Sequence, residues 1–195
     1  PAVWKALALV AIVTGAMALA ASAATNAGRA SASSRPLMTA IVDPVTFGGE
    51  DSATAFANAR RTGASLVRLS IDWSAVAPAG PTRPADFSAR RPDDPRYRWE
   101  GVDRQVREAV EAGFSPIVDI VNAPSWAEGA YEVKRPQDGP FRPSYRELAD
   151  FALATAVRYS GFFRDLPRVR YWQVWNEPNF SFYLTPQEEN GRLVS

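Results

Sequence analysis

The sequence of 195 residues predicts an α/β fold made of β/α units of a (β/α)8 TIM barrel, with roughly the first four of eight units present. Strand-like apolar runs alternate with helical patterns in the order β-α-β-α-β-α-β, which is typical of a parallel sheet with helical crossovers. The loops after the second and third strands are long, as in barrels that carry a site at the strand exits. No Gly-rich phosphate turn follows the first strand, which argues against the alternative, a doubly wound nucleotide-binding sheet.

Four short runs rich in Val, Ile and Leu predict the strands. They cover residues 37–42, 65–71, 115–121 and 169–174. Asp, Asn or Trp follows each run. Because parallel strands end at the same edge of a sheet, we expect these polar and aromatic side chains to gather at one edge.

Three segments with apolar residues at helical spacing predict the helices, over residues 51–61, 99–112 and 145–159. The inward face of the second helix is expected to carry Val102, Val106, Ala109 and Val110. The inward face of the third is expected to carry Leu148, Phe151, Ala152 and Ala156.

The N-terminal segment has the pattern of an export signal. Lys5 precedes an apolar run and the small-residue site Ala21-Ser22-Ala23, so residues 1–23 are predicted to be a signal peptide. Residues 24–36 are predicted to be a linker and residues 37–195 a partial barrel domain. We therefore expect a secreted or periplasmic protein with no membrane contact after cleavage; the alternative is a membrane anchor formed by an uncleaved N-terminus.

The number of units has consequences for stability. A full barrel needs about 250 residues, and residues 37–195 are too few for eight units. We therefore expect about four units, with residues 180–195 forming a loop and the start of a fourth helix. An open half-barrel leaves two strand edges uncovered, and this piece alone is expected to be poorly stable and inactive. The alternative is a small, complete four-stranded domain.

The composition limits the chemistry of any site. The chain has no Cys and no His, which excludes disulfides, thiolate or histidine metal sites and a Ser-His-Asp triad. Acid/base chemistry must then use carboxylates, Lys or Tyr, and no metal or organic cofactor is implied. A net charge of +1 gives no electrostatic indication of nucleic-acid binding.

The sequence Trp-Asn-Glu-Pro-Asn at residues 175–179 contains the strongest candidate site. Glycoside hydrolysis needs two carboxyl groups, one of which must stay protonated until it reaches the leaving oxygen. Glu177 follows an apolar, aromatic strand whose rings are expected to surround the carboxyl and lower the local dielectric. Asn176 supplies an amide for the sugar hydroxyl next to the reacting carbon.

This motif, at the end of a fourth strand, resembles the clan A glycoside hydrolases, which include cellulase-like family 5 and xylosidase-like family 39. The resemblance implies retaining cleavage of O-glycosidic bonds in an oligo- or polysaccharide. It implies that Glu177 is the acid/base and that Asn176 contacts the sugar 2-hydroxyl. The nucleophile would be a second Glu, at the end of a seventh strand beyond the end of this chain.

Further residues fit the same resemblance. Arg68 on the second strand resembles the Arg that lies under the nucleophile, and Trp126 in Pro-Ser-Trp resembles a Trp that borders the cleft. Asn122 stands in the region where many family 5 members have a His, which leaves the particular family open. We also expect Asn122 and Trp175 at the substrate site. Arg68, Trp126, Asn176 and Glu177 should then converge on one end of the sheet.

Five residues at or near strand exits are weaker candidates for substrate contact. They are Asp43, Glu50, Asp72, Trp73 and Asp119, and each could instead cap a turn or balance Arg68. Two other functions stay open. One is a non-catalytic carbohydrate-binding protein on the same fold, and the other is a nucleotide-dependent enzyme with a doubly wound sheet.

Overall fold

The computed structural model describes residues 37–130 and 138–194, and the fold below is that of the unit from Met38 onward. The predicted signal peptide and linker, residues 1–23 and 24–36, lie outside the described residues and stay predictions. In the described part of the chain, no helix is both long and apolar enough to cross a bilayer.

The described elements alternate between strands and helices along the chain. In order they are β1 (Ala40–Val42), α1 (Pro44–Gly48), α2 (Ser52–Arg60), β2 (Leu66–Asp72), α3 (Trp73–Val76), α4 (Glu100–Glu111), β3 (Ser115–Val121), a 3-10 turn (Ser125–Ala127), α5 (Tyr145–Arg158), β4 (Tyr171–Val174), β5 (Glu188–Glu189) and β6 (Arg192–Leu193).

The first four strands form one parallel sheet in the order β1-β2-β3-β4. Each strand pairs with the next one in sequence, as in a barrel and unlike the strand-order reversal of a doubly wound sheet. The predicted fold class, parallel β/α units of TIM-barrel type, is confirmed.

The two faces of this sheet differ in polarity because side chains alternate along each strand. One face buries Val67, Leu69 and Ile71 of β2 in a core that also contains residues of α4 and α5. The opposite face carries polar side chains, among them Arg68 of β2 and Asp119 of β3. The helices therefore cover the apolar face, and the polar face is the one that a barrel turns inward.

An aromatic cluster orders the long loop between α3 and α4. The Phe151 ring of α5 lies 5.6 Å from the rings of both Trp73 and Trp99, and 5.9 Å from that of Tyr97. The Tyr97 hydroxyl donates to the Ala89 carbonyl oxygen at 2.5 Å. Tyr97 and Trp99 are therefore packing residues.

A buried charged network joins α4 to α5. Arg158 donates two hydrogen bonds to the Asp103 carboxylate, at 2.8 and 2.6 Å, and a third to the Pro92 carbonyl oxygen at 2.9 Å. Its guanidinium lies over the Trp99 ring. Burial, together with the Asp103 carboxylate, raises the pKa of Tyr159, so the phenol donates to Asp103 at 2.8 Å. The network fixes the two helices in register.

Several local expectations were wrong. Val110 of α4 is exposed, and so is Ala156 of α5, where Ala154 and Thr155 are buried instead. Helical spacing predicts the buried face of a helix to within one or two positions. Packing against the rest of the fold then determines which of those residues are buried. Residues 180–194 contain no start of a fourth helix: a turn region leads to the antiparallel pair β5–β6.

Candidate active site at the strand exits

The predicted site residues lie where β2, β3 and β4 end. Three residues after β3 and β4 have a left-handed backbone: Asn122 at φ 61°, Trp175 at φ 69° and Glu177 at φ 40°. Positive φ is uncommon for residues other than Gly and costs about 1–3 kcal/mol when the surroundings impose it. Both strands thus leave the sheet by sharp turns.

Arg68 and Asn176 meet across the sheet. The guanidinium Nη1 donates to Asn176 Oδ1 at 2.8 Å, although the two residues are 108 positions apart in the sequence. Asn176 is only 8% exposed. Because Glu177 follows directly, the predicted acid/base lies next to the predicted sugar contact, at the same edge as the predicted arginine.

Trp175 is buried and its indole anchors the loop that carries Glu177. The indole Nε1 donates to the Tyr183 carbonyl oxygen at 2.9 Å, and the Trp175 backbone N–H extends the β3–β4 ladder by donating to the Ile120 carbonyl oxygen at 2.9 Å. The loop closes on itself, with the Phe180 N–H donating to the Glu177 carbonyl oxygen at 3.0 Å. The buried Trp175 thus holds the loop of Glu177 in place through these hydrogen bonds.

Glu177 is exposed, which differs from the expectation that rings surround its carboxyl. Side-chain alternation explains the difference. Trp172 and Val174 pair with Val118 and Ile120 and so lie on the helix side of the sheet, while Trp175 turns into the loop. Trp172 is therefore close to Glu177 in sequence but lies on the opposite face of the sheet from Arg68.

Asn122 lies in the site region but is tied to a neighbouring strand. Its Nδ2 donates to Asp72 Oδ2 at 2.8 Å. The other oxygen of Asp72 accepts from the Ala75 N–H at 3.1 Å and from the Ser74 hydroxyl at 2.6 Å. Asp72, a weak candidate for substrate contact, therefore caps α3 and orients Asn122.

Trp126 belongs to the aromatic cluster. Its Nε1 donates to the Pro78 carbonyl oxygen at 2.8 Å, and its ring lies edge-on to Trp73 at 6.0 Å and to Phe87 at 5.9 Å. In the described part of the chain, Trp126 contacts the loop after β2 and does not contact Arg68 or Asn176. Trp126 and Trp73 thus hold two exit loops together, and a cleft-bordering role for Trp126 stays a prediction.

A cleft of about 430 Å³ opens beside these loops, a volume in the range of small-molecule sites. Asn122 lines it together with Glu128, Asp138, Phe182 and Tyr183. No prediction from the sequence placed Glu128, Asp138, Phe182 or Tyr183 at a site. Their positions in loops after strand exits were the available signal, but loop closure, which the sequence does not show, brings them together.

Asp119 is the most unusual titratable group near the site. Its side chain is fully buried on the polar face of the sheet, 3.8 Å from Arg68 Nη1. Burial raises the pKa of Asp119 to about 6, and the Arg68 charge opposes this increase. Its position near the exit of the third predicted strand was the signal that placed it among the weaker candidates.

The described residues give no indication of a metal centre, since no three of their acidic side chains cluster as metal ligands would. The chemistry available at these exits is that of carboxylates, an amide and a guanidinium. The remaining weak candidates are peripheral. Asp43 caps α1 through hydrogen bonds to the Thr46 N–H at 3.0 Å and hydroxyl at 2.6 Å, and Glu50 lies in the exposed turn between α1 and α2.

The fold of the described residues is similar to that of solved glycoside hydrolases built on a β/α barrel. A monomeric β-xylosidase from Caulobacter crescentus superposes with a TM-score of 0.51 at 18% identity, over 75% of this chain and 29% of that one. A family 39 glycoside hydrolase from Bacteroides cellulosilyticus gives 0.47 and 21% identity, over 74% and 25% of the two chains. The GH39 enzyme from Xanthomonas axonopodis pv. citri gives 0.49 and 17%, over 76% and 28%. Scores below 0.5 do not establish a shared fold.

The sequence is also similar to a curated protein, the chloroplastic β-glucosidase-like SFR2 of Oryza sativa subsp. japonica. It is 27% identical over 131 residues, which are 65% of this chain and 17% of that protein. No family model matches the chain. The chain thus spans under a third of the length of each of these proteins. The resemblance to clan A glycoside hydrolases is confirmed at the level of fold.

Proposed function

We propose that this chain carries the acid/base part of a retaining O-glycosidase, with Glu177 as the general acid/base. One observation supports this most directly. The Arg68–Asn176 hydrogen bond fixes an amide immediately before Glu177, at the strand-exit edge. That edge is where β/α barrels hold their active sites. The cleft is lined by neither residue nor by Glu177, and Trp175 connects this loop to it through the hydrogen bond to Tyr183.

In the proposed reaction, Glu177 protonates the leaving glycosidic oxygen while a second carboxylate attacks the anomeric carbon. In the second step Glu177 takes a proton from the water that releases the sugar. We place the second carboxylate, and the wall that covers Glu177, on polypeptide outside this chain. Asn176 donates to the hydroxyl next to the reacting carbon.

The cleft supplies the proposed sugar contacts. Phe182 and Tyr183 offer ring surfaces on which a pyranose can stack, and Asn122 lines the same cleft. Because the curated relative is described as β-glucosidase-like, we propose β-linked sugars as the substrate class. Aryl β-glucosides and aryl β-xylosides are therefore the first substrates to assay.

The test uses the longer protein that contains this chain and compares E177Q with the matched control E111Q. Glu111 is also an exposed glutamate, but it ends α4, at the opposite end of the sheet from the strand exits. E177Q is expected to lower kcat about 100-fold or more, whereas E111Q leaves it unchanged. In E177A, azide is expected to restore turnover of a substrate with a good leaving group. Equal rates for E177Q and wild type would refute the assignment.

The exposure of Glu177 favours a second candidate, a carbohydrate-binding protein on the same fold without catalysis. A desolvated environment is what normally makes a carboxyl group an effective acid, and the described residues do not provide one. This candidate predicts no turnover by the wild type, binding of methyl β-glucoside or methyl β-xyloside by calorimetry, and weaker binding by N176A.

We also propose that the protein is exported, because residues 1–23 have the signal-peptide pattern. Mass spectrometry of the mature protein after expression in a bacterial host checks this directly. A new N-terminus at Ala24 supports export with cleavage, while an intact N-terminus in the membrane fraction supports the anchored alternative.

A further inference from the structure

The register of the sheet puts a second carboxyl group beside the Arg68–Asn176 hydrogen bond. Asp119 of β3 pairs with Ser70 of β2 on one side and with Gln173 of β4 on the other. Arg68 and Ser70 share a face, since they are two positions apart on one strand. Asp119 therefore lies on the polar face, next to the arginine.

The opposite charges of Asp119 and Arg68 stabilise each other. Both Asp119 oxygens are buried without a hydrogen-bond partner among the described residues, and the same holds for Arg68 Nε. A buried carboxylate is costly unless a positive charge lies close to it. The described residues place one such charge there, Arg68 Nη1, at 3.8 Å.

Arg68 in turn decides which way the Asn176 amide points. A guanidinium has only donors, so its partner atom must be the carbonyl oxygen Oδ1. The 2.8 Å hydrogen bond therefore turns the amide nitrogen Nδ2 away from Arg68. Nδ2 has no hydrogen-bond partner among the described residues, which leaves it free to donate to a ligand.

We propose that Asp119 is a positioning residue that holds Arg68 in place and thereby orients the Asn176 amide toward a sugar hydroxyl. This inference rests on the proposed function for the identity of the ligand. When Asp119 is ionised, its charge keeps the guanidinium on Oδ1, and Nδ2 presents a donor to the hydroxyl next to the reacting carbon. When Asp119 is neutral, Arg68 loses its counter-ion and the amide is free to rotate.

The first arm of the test is independent of activity and uses NMR on the same longer protein as the second arm. The Asp119 carboxyl carbon and the Asn176 side-chain NH2 group are followed from about pH 4 to about pH 8. The two signals are expected to titrate with one midpoint in wild type and in the control S70A, whose change lies on the same face. In D119N the pH response of Asn176 is expected to vanish.

Two NMR outcomes would overturn the proposal: an Asn176 signal that stays constant while Asp119 titrates, or one that titrates unchanged in D119N. If D119N fails to fold, the wild-type midpoints alone decide.

The second arm uses the longer protein and compares kcat/KM for an aryl β-glucoside with that for its 2-deoxy analogue. D119N is expected to reduce the preference for the hydroxyl-bearing substrate about tenfold, mainly in kcat, and S70A to leave it unchanged. An unchanged preference in D119N contradicts the inference. A wild type without turnover refutes the proposed glycosidase and leaves the NMR arm to decide the role of Asp119.

Discussion

Asp119 makes folding stability depend on pH in a direction opposite to that of most carboxylates. An ordinary salt-bridged Asp is charged more readily in the folded state. Asp119 is instead fully buried, with Arg68 at 3.8 Å as its compensating charge, and its pKa rises from 3.8 to about 6. The folded chain therefore binds this proton more tightly than the unfolded chain does.

The sign and size of the effect follow from linkage. The contribution of Asp119 to stability is complete below pH 3.8 and is lost as the pH rises through about 6. At about 1.36 kcal/mol per pKa unit, the full loss is about 3 kcal/mol. About 2 kcal/mol of this falls between about pH 4 and about pH 7, since unfolded Asp is already partly ionised at pH 4.

Urea unfolding followed by Trp fluorescence at a series of pH values measures this contribution. The other carboxylates also titrate, so the informative quantity is the pH dependence in wild type minus that in D119N. This difference should show wild type losing about 2 kcal/mol relative to D119N between about pH 4 and about pH 7. S70A should follow wild type. Parallel curves for wild type and D119N would refute the argument.

Three further predictions concern the packing. D103N removes the charge that compensates buried Arg158 and is expected to cost about 3–5 kcal/mol in urea unfolding, whereas D93N, which breaks only an exposed pair, is expected to leave the urea midpoint nearly unchanged. F151A empties the centre of the aromatic cluster and is expected to lower the free energy of unfolding by about 3–5 kcal/mol; a loss below about 1 kcal/mol would contradict the packing described. D43A removes the α1 cap and is expected to lower the Tm, whereas an unchanged Tm would contradict the capping role.

The four strands and their order along the chain could be predicted from the sequence because the evidence for each strand is local. Runs of Val, Ile and Leu mark strands of a sheet covered by helices, and helical spacing marks the segments between them. The helices over 51–61, 99–112 and 145–159 were located to within two residues. The prediction for the segment 180–194 was wrong because it overlooked the Asn190-Gly191 dipeptide, a two-residue hairpin signal, which joins β5 to β6 with positive φ at both positions.

For the candidate site, too, some features could be predicted from the sequence and others could not. Glu177, Asn176 and Arg68 were recognised by their residue types and by their positions on the predicted strands. That Arg68 contacts Asn176, and that Asp119 lies on the same face, required the register of three strands. A shift of one residue would move a side chain to the opposite face.

The sequence by itself determined the alternation of strands and helices, the absence of Cys and His, and the residue types available at the strand exits, because these are properties of neighbouring residues. Only the tertiary structure decided that Trp175 is buried, that Glu177 is exposed and that Asp119 is enclosed beside Arg68. Burial and pairing depend on which distant segments meet, and that is settled by strand register and loop closure.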